Sequence, residues 1–472
     1  MLFTSMAFLF RFLPVALLLY YLCPARYKNI ALLAISLAFG FLHNFMFLPV
    51  ALAMAAVNWL CGLALGRPVC RGRRLVLALA IFFNLGLLVF YKYGAALAGA
   101  ANSLLGLALP AAEGMAAPLG LAIMALQATG YCVDIYRKTT PAEKNPLTFA
   151  AYLTLFAPLP AGPLTGYAAL QQPLHLGKGR VTLAGVEKGI EAFILGLAAK
   201  VLLADGIGML WTDVVGKYEN GSLVYNGEGV GLQNISTPLA WLALAAFGLQ
   251  LYFALAGYGL MAKGLGGMLG FTLPLNFSLP YCAGSVTGFL QRWFISLTNW
   301  FTRYLYRPLA GTRGGRRPIL ALLAACLLGG LWYGASAGFA LWGLYLFAFL
   351  LAEKLFLGKW LQKGRVWPHI YTLLVVLVGW ALFAAGNPGV AAPTLFAKLF
   401  VPQGGVGTLY FARNYAVVLL LGGLFCTPLP QKLYAKIQPH TALKTIVLAL
   451  LFAGCVACLV AGSASVLPYL NL

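Results

Sequence analysis

Apolar runs of bilayer-crossing or near-crossing length recur along the whole chain, at residues 6–23, 29–42, 46–65, 75–91, 119–133, 147–162, 189–212, 237–258, 319–333, 337–357, 369–385, 413–427 and 443–461. About 20 apolar residues in helix span the hydrocarbon core, so few folds are open to such a chain. Inside a bilayer the backbone polar groups must be satisfied within a helix or around a closed barrel. Barrel strands alternate apolar and polar residues, whereas these runs are continuous in Leu, Ala and Val. The expectation is an all-α, polytopic transmembrane protein with roughly eleven crossings, the shorter runs being tilted, re-entrant or interfacial. With 62% hydrophobic and 9% charged residues, a soluble globule is excluded.

The charge is strongly basic, +22 from 32 Lys and Arg against 10 Asp and Glu. The cations sit in short loops beside the spans, as the positive-inside rule expects, and the loops lack the aromatic-basic interleaving of a nucleic-acid groove. Partners are therefore the lipid bilayer, including anionic headgroups, and no nucleic acid. Arg26 and Lys28 follow the first run and Arg67, Arg71, Arg73 and Arg74 the third, while His43-Asn44 lies between. This predicts an extracytoplasmic N-terminus and a cytoplasmic 67–74 loop; Arg313, Arg316 and Arg317 mark a second cytoplasmic loop. The charges leave the topology of 92–118 open. Residues 1–23 read as a first transmembrane helix, since Arg11 interrupts the apolar run and no charged n-region precedes it. The longest polar interruption, 213–235 with Asp213, Lys217, Glu219, Asn220 and Glu228, reads as an extramembrane loop. No repeat is evident, so 1–472 is taken as one transmembrane domain. Nine cysteines are scattered mostly within apolar runs, with neither a disulfide framework nor a metal site; Cys455 and Cys458 read as small buried hydrophobes.

Candidate proton-handling groups are few. Of the four histidines, His43, His175, His369 and His440, none lies in mid-span beside another polar group. Ionisable residues inside or at the ends of spans are functional candidates because burial is costly; here they are Asp134, Lys200, Asp205 and Glu353. Lys200 and Asp205 flank Val201–Ala204 and read as an interior pair. Glu187 and Glu191 share one helix face in the first turns of their helix, where the dipole favours negative charge. Gly330, Gly334 and Gly338, like Gly264, Gly267 and Gly270, are read as smooth ridges for close helix approach. Phe289–Arg307, with alternating aromatics and arginines, reads as one interfacial amphipathic helix.

An ordered set of landmarks carries a family resemblance. They are Phe8-Leu9-Phe10-Arg11-Phe12-Leu13-Pro14, Asp134-Ile135-Tyr136-Arg137, Pro160-Ala161-Gly162-Pro163, Lys200–Asp205, Gln250-Leu251-Tyr252-Phe253, Gln291–Leu297, Tyr304–Leu309, Gly330–Ala335 and Leu341-Trp342-Gly343-Leu344-Tyr345. Together they resemble the membrane-bound O-acyltransferase family, in the branch of alginate O-acetyltransferases and D-alanyl-lipoteichoic acid transfer, with the family core at about 119–385. The resemblance implies that an acyl group, acetyl or similarly small, passes from a cytoplasmic thioester donor to an extracytoplasmic hydroxyl of a cell-envelope polysaccharide. It implies an inner-membrane location, no resident cofactor, and an acyl carrier or envelope-polysaccharide complex as partner. It also places a reaction tunnel along Trp293, Ser296, Trp300, Tyr304, Trp332 and Ser336.

The departures are systematic. Relatives carry histidine where this chain has Phe294 and Tyr333, and the acidic residues expected around Ala254–Leu260 are absent. An arginine expected after Trp380–Phe383 is missing as well. A phenol of ordinary pKa, about 10, replaces an imidazole of about 6.5, so at neutral pH about one tyrosine in a thousand is ionised. Losing a positioned base costs about 10²–10⁴-fold in rate. The resemblance with these losses implies a pseudoenzyme, scaffold or acyl-chain binder. Two alternatives stay open: an active acyltransferase using a non-histidine base or a partner subunit, and a lipid or glycan transporter reusing the tunnel.

Overall fold

The computed structural model of the chain describes residues 2–67, 72–106, 117–176, 181–219, 222–224, 230–311, 317–387 and 389–462. Arg71, Asn220, Glu228, Arg313 and Arg316, invoked above for loops, lie outside them. Most of the described residues are helical, and the described strands form a small hairpin in which Lys217–Glu219 pairs antiparallel with Ser222–Val224.

The helices follow the apolar runs because hydrocarbon leaves the backbone no other partner than itself. They are α1 (Phe8–Leu22), α2 (Lys28–His43), α3 (Phe47–Gly66), α4 (Arg73–Leu105), α5 (Leu121–Tyr136), α6 (Pro146–Leu153), α7 (Tyr167–His175), α8 (Leu183–Val214) and α9 (Thr237–Met268). After them come α10 (Val286–Arg292), α11 (Ile295–Phe301), α12 (Arg317–Leu331), α13 (Ala337–Leu361), α14 (Trp367–Ala384), α15 (Ala392–Phe400), α16 (Thr408–Asn414), α17 (Ala416–Phe425), α18 (Leu429–Ile437) and α19 (Thr441–Val460). Among the described residues eight helices are long and apolar enough to cross a membrane. A ninth forms if α16 and α17, bent by 66°, act as one broken span. The apolar helices α1, α5 and α12 are shorter. Leu18, Phe82 and Leu420, all more than half exposed, lie on outward faces suited to lipid.

Two expectations are corrected and one open stretch is partly filled in. The run 147–162 is not one helix: α6 ends at Leu153, and turns follow through Pro158, Pro160 and Pro163. Proline removes backbone donors and clashes with the preceding turn, so apolar composition alone cannot extend the helix there. The stretch 92–118 continues as helix to Leu105, and 107–116 lies outside the described residues. Finally, Gly330, Gly334 and Gly338 do not share one helix, since α12 ends at Leu331 and α13 starts at Ala337.

The described residues gather in two compact units. The first comprises Met1–Phe193 with Tyr258–Leu275, and the second Ile194–Gly257 with Asn276–Leu467. In the first, α5 is buried on almost every side. Phe3, Phe8, Phe12, Phe39 and Phe156 pack ring against ring at 4.9–6.0 Å. Several polar groups find partners: Asn58 and Asn84 exchange amide hydrogen bonds of 2.8 Å, and Tyr20 and Tyr21 donate to the carbonyls of Leu269 and Met268. A Cβ on Gly189 would lie 2.7 Å from the Gly264 carbonyl oxygen, so these two helix backbones touch. In the second unit α12 and α13 approach as closely, a Cβ on Gly330 falling 2.3 Å from the carbonyl oxygen of Phe339.

Candidate active site

The second unit holds the residues at which the sequence places chemistry. The expected single amphipathic helix is broken at Trp293 and Phe294: Trp293 is extended, and Phe294 adopts the left-handed conformation (φ 44°, ψ 56°). For a non-glycine residue that conformation costs about 1–3 kcal/mol and persists only where the surroundings enforce it. Enforcement is visible. Ser278 N–H donates to the Arg292 carbonyl at 3.0 Å and Ile295 N–H to the Asn276 carbonyl at 2.8 Å, so the 276–278 segment clamps both sides of the break.

Glu353 fixes the other end of α10. Its buried carboxylate accepts from the backbone N–H of Val286 at 2.6 Å and of Thr287 at 2.9 Å, and from the Thr287 hydroxyl at 2.6 Å. Ser285 caps the same turn through Gly288 N–H at 2.9 Å. An anion here meets the unsatisfied donors and positive end of a helix. Glu353, a candidate base from sequence, is thus a helix cap that positions Trp293.

Around the break lies a box of aromatic rings. Trp293 stacks on Phe289 (5.4 Å) and packs against Trp380 (4.9 Å), Phe277 (5.1 Å) and Tyr252 (6.2 Å). Trp342 stacks on Trp380 at 6.1 Å, and Phe294 meets Phe277 edge-on at 5.7 Å. Tyr333, in the turn after α12, packs its ring edge-on against Phe383 (4.9 Å) and Trp342 (5.6 Å). The buried Trp293 indole nitrogen has no partner at hydrogen-bonding geometry among the described residues. Tyr281 links the box to the backbone, accepting from the Trp380 indole at 3.2 Å and donating to the Gly248 carbonyl at 2.7 Å.

Trp293 and Phe294 thus share Phe277 as a neighbour, and Tyr333 joins them at one remove, through Trp342 and Phe383, which both pack on Trp380. Trp332 is buried next to Tyr333, and the Ser336 hydroxyl donates to the Gly386 carbonyl at 2.7 Å. Ser296 is buried in the first turn of α11. Trp300 and Tyr304 are half-buried and pair with each other at 5.2 Å, with Arg303 over the Tyr304 ring. Lys200 and Asp205 form a fully buried ion pair within a π-helical stretch of α8. Asp134 is buried near the end of α5, in the first unit.

The histidines stand elsewhere. His369 Nδ1 lies 3.2 Å from the Ala283 carbonyl, His43 ends α2, and His440 is exposed before α19. His175 belongs to a cluster that the sequence did not disclose. The buried Glu143 carboxylate meets His175 Nε2 at 2.8 Å, accepts the Tyr167 hydroxyl, and accepts Asn145 N–H at 2.8 Å. Burial alone would raise its pKa, but the hydrogen bonds from Tyr167, Asn145 and His175 together hold it below the ordinary carboxylate range. Glu143 sits in a loop 32 residues from His175, a separation with no periodic signal.

With this geometry in view, the chain can be compared with known proteins. Residues 140–385, just over half the chain, match the model described as MBOAT, membrane-bound O-acyltransferase family. The chain is 34% identical over 398 residues to a probable alginate O-acetylase AlgI of Pseudomonas syringae pv. tomato, covering 83% of this chain and 74% of that protein. It is 26% identical over 451 residues to a peptidoglycan O-acetyltransferase of Helicobacter pylori, covering 88% and 82%. It is also 26% identical over 181 residues to a teichoic acid D-alanyltransferase of Bacillus subtilis, covering 36% and 45%.

Proposed function

The chain belongs to the membrane-bound O-acyltransferase family, and from that premise we propose that it is a catalytically silent member serving envelope-polysaccharide modification. In an active enzyme of this chemistry a base removes the acceptor hydroxyl proton, the oxygen attacks the thioester carbonyl, and the thiol leaves. The proposed setting is the bacterial inner membrane, with a cytoplasmic thioester donor and an extracytoplasmic acceptor.

One observation carries the reading. The resemblance assigns the family histidine to the position of Tyr333, and the rings packed on that phenol, Phe339, Trp342 and Phe383, cannot accept a proton. A neutral phenol can donate to a carbonyl but is a poor base. Glu353 offers no substitute, since three donors already engage its carboxylate. What remains is a box able to hold an acyl group by apolar contact and by donors to its carbonyl. That suits a scaffold or acyl binder working with an acyl carrier or a polysaccharide-modifying complex.

The test is thioester consumption by purified protein in lipid nanodiscs, with acetyl thioester as donor. The native chain is expected at background, and the double variant Tyr333→His with Phe294→His clearly above it. Native turnover that persists in Tyr333→Phe would refute both the silence and any role for the phenol.

A further inference from the structure

The N-terminal helix pair carries a feature that the acyl-transfer reading does not use. Helices α1 and α2 enclose a groove of about 860 Å³ whose wall includes Arg11, Phe12, Val15, Leu19, Ala34 and Ala38. That volume lies within the range of ligand pockets. Its floor is low because Ala34 and Ala38, both exposed, stand one turn apart on one face of α2. From Arg11 to Leu19 the helix rises about 12 Å, a length that suits part of an extended acyl chain. Two polar residues line the groove. Ser5 is already engaged, donating to the Leu2 carbonyl and accepting Phe8 N–H. Arg11 is the other: it is exposed, and among the described residues its guanidinium has no ion pair or hydrogen bond.

A cation in an apolar span is costly, and such residues mark ligand sites. Guanidinium matches phosphate geometry, and its flexible stem can reach the headgroup layer while its methylenes stay on apolar surface. We propose that this groove binds one anionic glycerophospholipid, an acyl chain lying along Val15, Leu19, Ala34 and Ala38 and the headgroup phosphate on Arg11. The site is independent of whether the aromatic box is catalytic.

Native mass spectrometry of the full chain, titrated in detergent with dioleoyl phosphatidylglycerol or dioleoyl phosphatidylcholine, tests this. Retention of one phosphatidylglycerol is expected with about fivefold preference over phosphatidylcholine, the scale of one cation beside an anionic headgroup. Arg11→Gln should abolish the preference, Arg11→Lys should keep it, and Ala38→Trp, which fills the groove, should lower retention of both lipids. Thermal unfolding of each variant checks that the fold is intact, and the Lys variant gives a readout that does not depend on the disruptive changes. Equal retention of the two lipids by the native chain, a preference surviving Arg11→Gln, or retention untouched by Ala38→Trp would overturn the assignment. Displacement of the lipid by millimolar inorganic phosphate would also overturn it, since an acyl chain in the groove should hold the lipid against the free anion.

Discussion

At the scale of single residues, the chain keeps its framework by spending polar groups on structure. Glu353 is the clearest case. Glu353→Ala would leave two backbone N–H groups and a hydroxyl without their acceptor. Each buried unsatisfied donor costs about 1–3 kcal/mol, and partial rescue by water brings the expected loss to about 3 kcal/mol, read as a fall in thermal stability. An unchanged unfolding temperature would show that the cap is dispensable. Glu143 gives a pH signature. Its pKa is lowered on folding from an ordinary value of 4.5, so its contribution is fully present above that value. The contribution is lost as pH falls from about 4.5 through the lower folded value. The stability difference between native protein and Glu143→Gln should shrink as pH falls below 4.5. A difference that grows below that value would contradict the assigned sign. Neither role was legible in the sequence, because both depend on which groups a carboxylate meets across the fold.

At the scale of elements, sequence pattern located helices well and breaks poorly. The apolar run 46–65 became Phe47–Gly66 almost residue for residue, because hydropathy decides what lies in a bilayer. Phe289–Arg307 did not become one helix. Its break at Phe294 is imposed by hydrogen bonds from residues 276–278, which no local pattern announces. Glycine spacing was similarly ambiguous: Gly330 and Gly338 do serve close approach, but on two helices rather than one. A paired substitution separates contact from propensity. A Cβ at Gly330 would sit 2.3 Å from a backbone oxygen, whereas one at neighbouring Gly329 meets nothing within 4 Å. Gly330→Ala should destabilise by about 1–3 kcal/mol through overpacking. Gly329→Ala should be neutral or slightly stabilising, by helix propensity. Thermal unfolding of the two in parallel decides the matter, and equal effects would mean that α12 and α13 do not pack as described.

At the scale of the whole molecule, the family and the membrane architecture could be read early because each rests on many residues in order. The 34% identity over 83% of the chain reflects that breadth. The candidate site was legible only in part: the positions of Trp293, Phe294 and Tyr333 could be marked, but their shared aromatic box required long-range packing. Orientation rests on far fewer groups, and so makes the sharper prediction. Arg26 and Lys28 lie at the start of α2, Arg67 follows α3, and Arg73 and Arg74 begin α4. The α2–α3 junction, His43-Asn44-Phe45-Met46, carries no Lys or Arg. Two successive spans return the chain to its starting side, so both cationic boundaries share one face, as the positive-inside rule requires of the cytoplasm. Alkaline phosphatase, which is active only outside the cytoplasm, should be active when fused after Asn44 and inactive when fused after Arg74. Replacing Arg67, Arg73 and Arg74 by glutamine should weaken that contrast, because only Arg26, Lys28 and Arg71 would then remain on that side. Activity at Arg74 with silence at Asn44 would invert the molecule, and would place the Arg11 end of α1 in the cytoplasmic leaflet.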